Sequence, residues 1–167
     1  MSALDDAKAD AARGWPVLPC KGKVPATPHG VKDASLDQEK ITNWFGNGAA
    51  HNVGIATGEA SGLLVLDVDP RHGGDVSLEA LVDQHGELPT TVQCETGGGG
   101  QHFYFLLPED TEIKNGANVL GPGLDIRSTG GYVIAPPSIH PDTGRPYAWE
   151  WSGDPERWRL RRSLSGC

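Results

Sequence analysis

Glycine and proline punctuate this chain from end to end. There are 23 glycines and 13 prolines among 167 residues, and short apolar runs fill the gaps between them. Glycine accepts positive φ and proline fixes φ, so such punctuation marks tight turns. The runs between the turns have the length of strands. A sheet-rich α+β chain is therefore expected, not a helical bundle. With 37% hydrophobic and 22% charged residues the composition is that of an ordinary globular protein. The length suits one domain that can enclose a core without a disulfide or metal staple. No apolar run approaches the roughly 18 residues of a membrane span, and residues 1–6 lack the apolar stretch of a secretory signal. Cys20, Cys94 and Cys167 are far apart and form no Cys-x-x-Cys pair. That spacing suits a reducing cytoplasm and argues against a zinc ribbon.

Periodicity and turn signals divide the chain further. Ser2 caps a helix over 3–13 that Gly14 ends. A buried strand is expected over 15–19, then a polar loop over 20–34 carrying Lys21, Lys23 and Lys32. Ser35-Leu36-Asp37-Gln38 has capping-box spacing and opens a helix with Ile41, Trp44 and Phe45 on one face. Strands are expected over 52–56 and, most clearly, 63–69. A helix over 75–85 turns Leu78, Leu81 and Val82 inward and stops at Gly86. Further strands are expected over 91–95, 102–107, 124–127, 132–135 and 147–151. Asp154-Pro155 has the start signal of a short helix. Residues 1–153 thus read as one compact unit and 154–167 as a short basic helix or tail. That tail holds four arginines against two acids, whereas the whole chain carries a net charge of −8. Such a balance disfavours a broad grip on duplex nucleic acid and leaves local or metal-assisted contact.

Three clusters carry chemistry. The first is Asp67-Val68-Asp69, whose carboxylates at i and i+2 share one strand face. Like charges that close repel, and divalent cations relieve the repulsion. The same acids also suit a strand end before a Pro70 turn. The second is Thr96-Gly97-Gly98-Gly99-Gly100-Gln101-His102, a turn whose backbone N–H groups can meet an anion. In the strand that follows, Phe103 and Phe105 face one way and His102 the other. A plain hairpin with a surface histidine fits this run as well, and no helix follows it, so it is neither a P-loop nor a dinucleotide fingerprint. The third is Leu124-Asp125-Ile126-Arg127-Ser128, with Asp125 and Arg127 on one face, where a surface ion pair is the simple reading. Taken together, three acids, a histidine beside a glycine turn and an arginine make an inventory for a metal–triphosphate complex.

In this order, Leu64-Val65-Leu66-Asp67-Val68-Asp69, Gly100-Gln101-His102 and Leu124-Asp125 resemble the archaeo-eukaryotic primase superfamily. The likeness is to the bifunctional DNA primase/polymerase domain of plasmid, phage and prophage replication proteins. That family carries a hydrophobic-D-x-D, a small-x-H and a hydrophobic-D, each on a strand. Gly14-Trp15-Pro16-Val17, the run from Asn52 to Gly58, Asp69 to Gly74, and Gly130 to Ser138 are similar to it too, so the resemblance covers about 14–151.

The resemblance implies a two-lobed primase–polymerase core, with an N-terminal α/β lobe, an RRM-like lobe and the active site between them. It implies that Asp67, Asp69 and Asp125 hold two Mg²⁺ or Mn²⁺ ions and that His102 meets the phosphates of an incoming dNTP or NTP. DNA template and primer, and a replicative helicase domain or protein, are the implied partners. On physical grounds Arg127, Gly99, Gly100, Ser128 and Lys32 are added as nucleotide contacts, with Lys21 and Lys23 as further phosphate or template candidates. The alternative is a non-catalytic module that binds single-stranded DNA or an origin. A rolling-circle nickase fits poorly, because no second histidine stands near His102-Phe103-Tyr104.

Overall fold

The computed structural model describes residues 2–46, 48, 50–150, 154–155 and 161–162. Helix α1 (Ala3–Ala12) begins with a capping box in which the Ser2 hydroxyl accepts from the Asp5 N–H and the Asp5 carboxylate accepts from Ser2. A first antiparallel sheet has the order β2-β1-β3-β8, from β1 (Val17–Lys21), β2 (Val24–Pro25), β3 (Asn52–Ala56) and β8 (Tyr132–Ala135). A 3-10 turn (Gly30–Asp33) and α2 (Gln38–Phe45) lie between β2 and β3.

The cap of α2 differs from the expected one. Asp37, not Ser35, is the N-cap, accepting from the N–H groups of Glu39 and Lys40. Ser35 is instead drawn into a bridge with Val17, since a backbone pair with a core strand outweighs a local cap. The first strand also runs two residues later than expected, because Pro16 delays its start and the hairpin to β2 extends it to Lys21.

The second sheet has the order β7-β4-β6-β5-β9. Its strands are β4 (Leu63–Val68), β5 (Val92–Glu95), β6 (Gln101–Leu106), β7 (Leu124–Arg127) and β9 (Ala148–Trp149), and α3 (Gly74–His85) joins β4 to β5. β4-α3-β5-β6-β7 in the spatial order β7-β4-β6-β5 is the split β-α-β arrangement of RRM-like lobes, with residues 107–123 where a second helix would stand. β10 (Arg161–Arg162) runs parallel to β6 at Phe105 and Leu106. The basic tail thus contains a short strand here, and the rest of the helix expected after Pro155 lies outside the described residues.

Two hydrophobic clusters fix the second sheet from both sides. On one face Leu64, Leu66, Val68, Phe105, Leu124 and Ile126 pack with Leu78 and Leu81 of α3. On the other, Leu63, Val65, Val92, Cys94 and Tyr104 join Val17, Leu18, Val53 and Ile55 of the first sheet, together with Ala7, Ile41 and Phe45 of the first two helices. Trp15 and Trp149 close on the Tyr104 ring at centroid distances of 5.8 and 5.4 Å. The architecture is therefore α+β, and the two sheets share one continuous core. No helix among the described residues is long and apolar enough to cross a membrane.

Candidate active site

Antiparallel register brings the sequence-distant motifs together. β4 lies between β6 and β7, so Asp67 stands opposite His102 on one side and opposite Asp125 on the other. All three are on the face turned toward the first sheet, in line with Leu63 and Val65. The apolar part of that face is sealed; its polar end opens. Asp67 keeps 23% of its side chain exposed, and its Oδ1 lies 3.4 Å from Nε2 of the buried His102. The other ring nitrogen, Nδ1, is buried with no partner among the described residues, so the proton of the neutral ring belongs on Nε2, facing the carboxylate.

Arg127 occupies the space between two of the acids. Its Nη2 is 3.1 Å from Asp125 Oδ2 and 3.7 Å from Asp67 Oδ2. The second Asp125 oxygen accepts from the Asn118 N–H at 2.9 Å. Burial pushes the Asp67 pKa up, but the hydrogen bond and charge of His102 and the charges of Arg127 and Lys23 outweigh it, and the carboxyl is held below its ordinary 3.8. Asp67 is thus ionised in the folded protein at neutral pH.

Asp69 lies one residue beyond the strand that was expected to include it, still in extended backbone, and it borders one cavity together with Asp67. β4 ends at Val68, and Pro70 opens a 3-10 turn (Pro70–His72) for which Asp69 is the cap. Its Oδ1 accepts from the Arg71 N–H at 2.9 Å, and its Oδ2 lies 2.7 Å from His72 Nδ1. The Asp69 backbone is clamped from both sides: its N–H donates to Gly123 and its carbonyl accepts from Gly74. A Cβ on Gly74 would meet Asp69 N at 2.7 Å and the carbonyl of Gly123, so a glycine is required for this approach.

Two cavities meet at Asp67. One, of about 90 Å³, is bordered by Lys23, Asp67, Asp69, Arg71, Gly98 and His140, with His102 and Tyr147 at its back. The other, of about 250 Å³, extends from Lys23, Asp67, His102 and Tyr147 past Asn115, Arg127 and Tyr132. Tyr147 stands between two imidazoles, its ring centroid 6.3 Å from His102 and 6.1 Å from His140.

The other expected nucleotide contacts are placed less uniformly. In the glycine turn the N–H of Gly99 donates to the Thr96 carbonyl and that of Gly100 to the Thr96 hydroxyl, so both are spent inside the turn. The N–H groups of Gly97 and Gly98 have no acceptor among the described residues. Ser128 is fully buried and borders neither cavity. Lys32 lines a separate cavity beside Lys40 and Trp44, because the β1–β2 hairpin turns Lys23 inward and carries Lys32 away. Sequence reasoning assigned no role to Arg71, which lies in the family-like run from Asp69 to Gly74, nor to His140 and Tyr147.

In kind, the carboxylates suit a hard divalent cation, and Asp67 and Asp69 border one cavity. Yet among the described residues no three His, Cys, Asp or Glu side chains are gathered closely enough to hold a metal ion. Asp125, opposite Asp67 in the ladder, is held by Arg127 and the Asn118 N–H.

No curated protein matches this chain. The family model for the N-terminal region of bifunctional DNA primase/polymerases matches residues 7–158, a span that includes strands β1 to β9, α2, α3, the latter part of α1 and each of the polar clusters above. The chain belongs to the bifunctional DNA primase/polymerase family, of which it carries the N-terminal domain.

Proposed function

We propose that this domain is a DNA-templated nucleotidyltransferase that extends a primer, or starts one, with Asp67 at the centre of its site. The observation that carries this reading is the register of β7, β4 and β6, which lines up Asp125, Asp67 and His102 at the open end of the face between the two sheets. In the reaction a primer 3′-hydroxyl oxygen bonds to the α-phosphorus, the bond to the β-phosphate breaks, and pyrophosphate leaves with release of the hydroxyl proton. Asp67 and Asp69, with Asp125, would hold two Mg²⁺ or Mn²⁺ ions, which would supply Lewis-acid activation of the hydroxyl and charge to neutralise the triphosphate. The chain's own residues do the rest. His102 orients the Asp67 carboxylate through Nε2, Arg127 balances the charge of Asp67 and Asp125 until substrate arrives, and the lysine and arginine side chains about the smaller cavity attract the phosphates.

Extension of a primed template, and synthesis on an unprimed one, measured with dNTPs and NTPs in Mg²⁺ and in Mn²⁺, test the proposal. Asp67→Ala is expected to abolish nucleotide addition while the protein stays folded; undiminished extension by that variant refutes the assignment. One observation favours the second reading, a non-catalytic DNA-binding replication module: Arg127 already balances the charge of Asp67 and Asp125. Calorimetric titration with a dNTP separates the two readings, since only the enzyme requires binding that depends on Mn²⁺.

A further inference from the structure

We infer that His140 is a phosphate-binding residue, its Nε2–H acting with the Arg71 guanidinium on the terminal phosphates of a nucleoside triphosphate seated over Gly98. This deepens the function proposed above and rests on it.

The tautomer of His140 is fixed by the loop that follows it. Nδ1 accepts from the backbone N–H groups of Asp142 at 3.2 Å and Thr143 at 3.4 Å, so the proton of the neutral ring is on Nε2. The residue is only 3% exposed, and its ring stacks on Tyr147 with an interplanar angle of 19°. Burial first, then the charge of Lys23, holds its pKa below the ordinary 6.5, with Arg71 and Arg145 adding to the effect against Asp142. The ring is therefore a rigid, neutral N–H donor. Nε2 has no hydrogen-bond partner among the described residues, and the ring borders the 90 Å³ cavity.

The second donor converges on the same point. A Cβ built on Gly98 would lie 3.1 Å from His140 Nε2 and 3.3 Å from Arg71 Nη2. Both nitrogens thus stand over one glycine whose own N–H is unspent, and a side chain there would fill the space they share. Arg145 approaches the next residue, with Nη2 3.7 Å from a Cβ on Gly99. Lys23, Arg71 and Arg145 make no ion pair with a carboxylate among the described residues. Lys23 and Arg71 border the cavity and Arg145 stands beside it at Gly99; these cations, the His140 Nε2–H and the unspent Gly98 N–H together suit an anion. The cavity, of about 90 Å³, has room for a phosphoryl group. Asp67 and Asp69 border the same cavity and suit the cation that a triphosphate carries.

The test measures affinity rather than turnover. dATP, dAMP and inorganic tripolyphosphate are titrated into the wild-type protein and two variants at one fixed Mn²⁺ concentration. His140→Asn keeps an acceptor where Nδ1 caps the loop and removes the Nε2 donor; Arg71→Gln changes a side chain outside the core. Each is expected to weaken dATP and tripolyphosphate by about ten- to hundredfold, the loss of a hydrogen bond to a charged group. The dAMP affinity is expected to change far less, so the preference for dATP over dAMP falls. Unchanged dATP and tripolyphosphate affinities in both variants overturn the inference, as does an equal loss for dATP and dAMP. Should His140→Asn fail to fold, Arg71→Gln decides alone. If the wild type binds no dATP at all, it is the proposed function that fails, a result distinct from a variant that binds as the wild type does.

Discussion

The two faces of β4 meet different surroundings. Toward α3 the strand presents Leu64, Leu66 and Val68, all buried, against Leu78 and Leu81. Toward the first sheet it presents Leu63 and Val65, both fully buried, and then Asp67, which is not. The first face is apolar along its whole length and contributes stability. The second is apolar only until the cavities begin, and its last residue carries charge. The carboxylate proposed to be reactive is thus the last residue of a strand face whose preceding residues are locked in the core. It needs no loop to position it, and its cross-strand neighbours are fixed by the ladder.

That comparison separates substitutions sharply. Asp67→Asn, nearly isosteric, is expected to lower single-turnover primer extension by at least about 10²–10³-fold, the scale of losing a preorganised electrostatic group. Its urea midpoint should stay close to the wild-type one, because Arg127 keeps Asp125 as a partner. Leu66→Ala, one residue earlier and on the other face, should do the reverse. Losing a buried leucine costs about 2–5 kcal/mol of stability, read as a lower urea midpoint, while extension per folded molecule is preserved. If Asp67→Asn unfolds the domain, or if Leu66→Ala silences the folded protein, the division of labour between the faces is wrong.

Much of this was legible in the sequence, for reasons that can be named. The strands over 52–56, 124–127 and 132–135 lay between turn signals (Thr57-Gly58, Gly123, Gly131 and Pro136-Pro137) and matched their observed limits. The opposed faces of β6, with Phe103 and Phe105 against His102, followed from strand alternation. Register was not legible. Whether Asp67 meets His102 or a residue two positions away depends on how residues 69–100 carry the chain from β4 to β6, and no local signal encodes that. The departure of Asp69 from the strand had a visible sign, the following Pro70, which favours a capped turn over strand continuation. Lys23 and Lys32 looked alike in a polar loop, and only the hairpin that pairs Cys20 with Pro25 and Lys21 with Val24 tells them apart. For His140, residues 141–145 of the Pro-Asp-Thr-Gly-Arg run announce a turn, but not that the imidazole caps it and aims its other nitrogen at Gly98.

A smaller effect sharpens the contrast within the polar row itself. Arg127 is about one-third exposed, so its pairing with Asp67 and Asp125 is weakened by solvent, and ion pairs of this kind contribute about 0.2–1 kcal/mol. Arg127→Gln should therefore raise the Mn²⁺ affinity of the nucleotide-free protein by no more than about fivefold, because the acids lose a resident competitor. Calorimetry with Mn²⁺ alone measures this. Weaker Mn²⁺ binding in the variant would mean that the arginine holds the carboxylates in a receptive geometry instead of competing for them.

The smallest expected effect concerns the far side of the smaller cavity, where His140 is held neutral. Its folded pKa lies below 6.5 because burial, then Lys23, disfavours the charged ring. As pH falls below about 6.5, the unfolded chain takes up a proton at this residue before the folded one does, so the unfolded state gains and stability declines. Above that value both states are neutral there and the residue adds no pH dependence. Urea midpoints at pH 7.5 and pH 5.5 should therefore differ, with the protein weaker in acid, and His140→Asn should narrow the difference. The sign is the same as that of Asp67, whose depressed pKa likewise weakens the fold as pH falls, but the window is different: the Asp67 contribution is lost only in stronger acid, below about pH 3.8. The two sides of one cavity are thus separable by pH alone. A His140→Asn variant with the full wild-type difference between pH 7.5 and 5.5 would show that its imidazole is not the group being kept neutral.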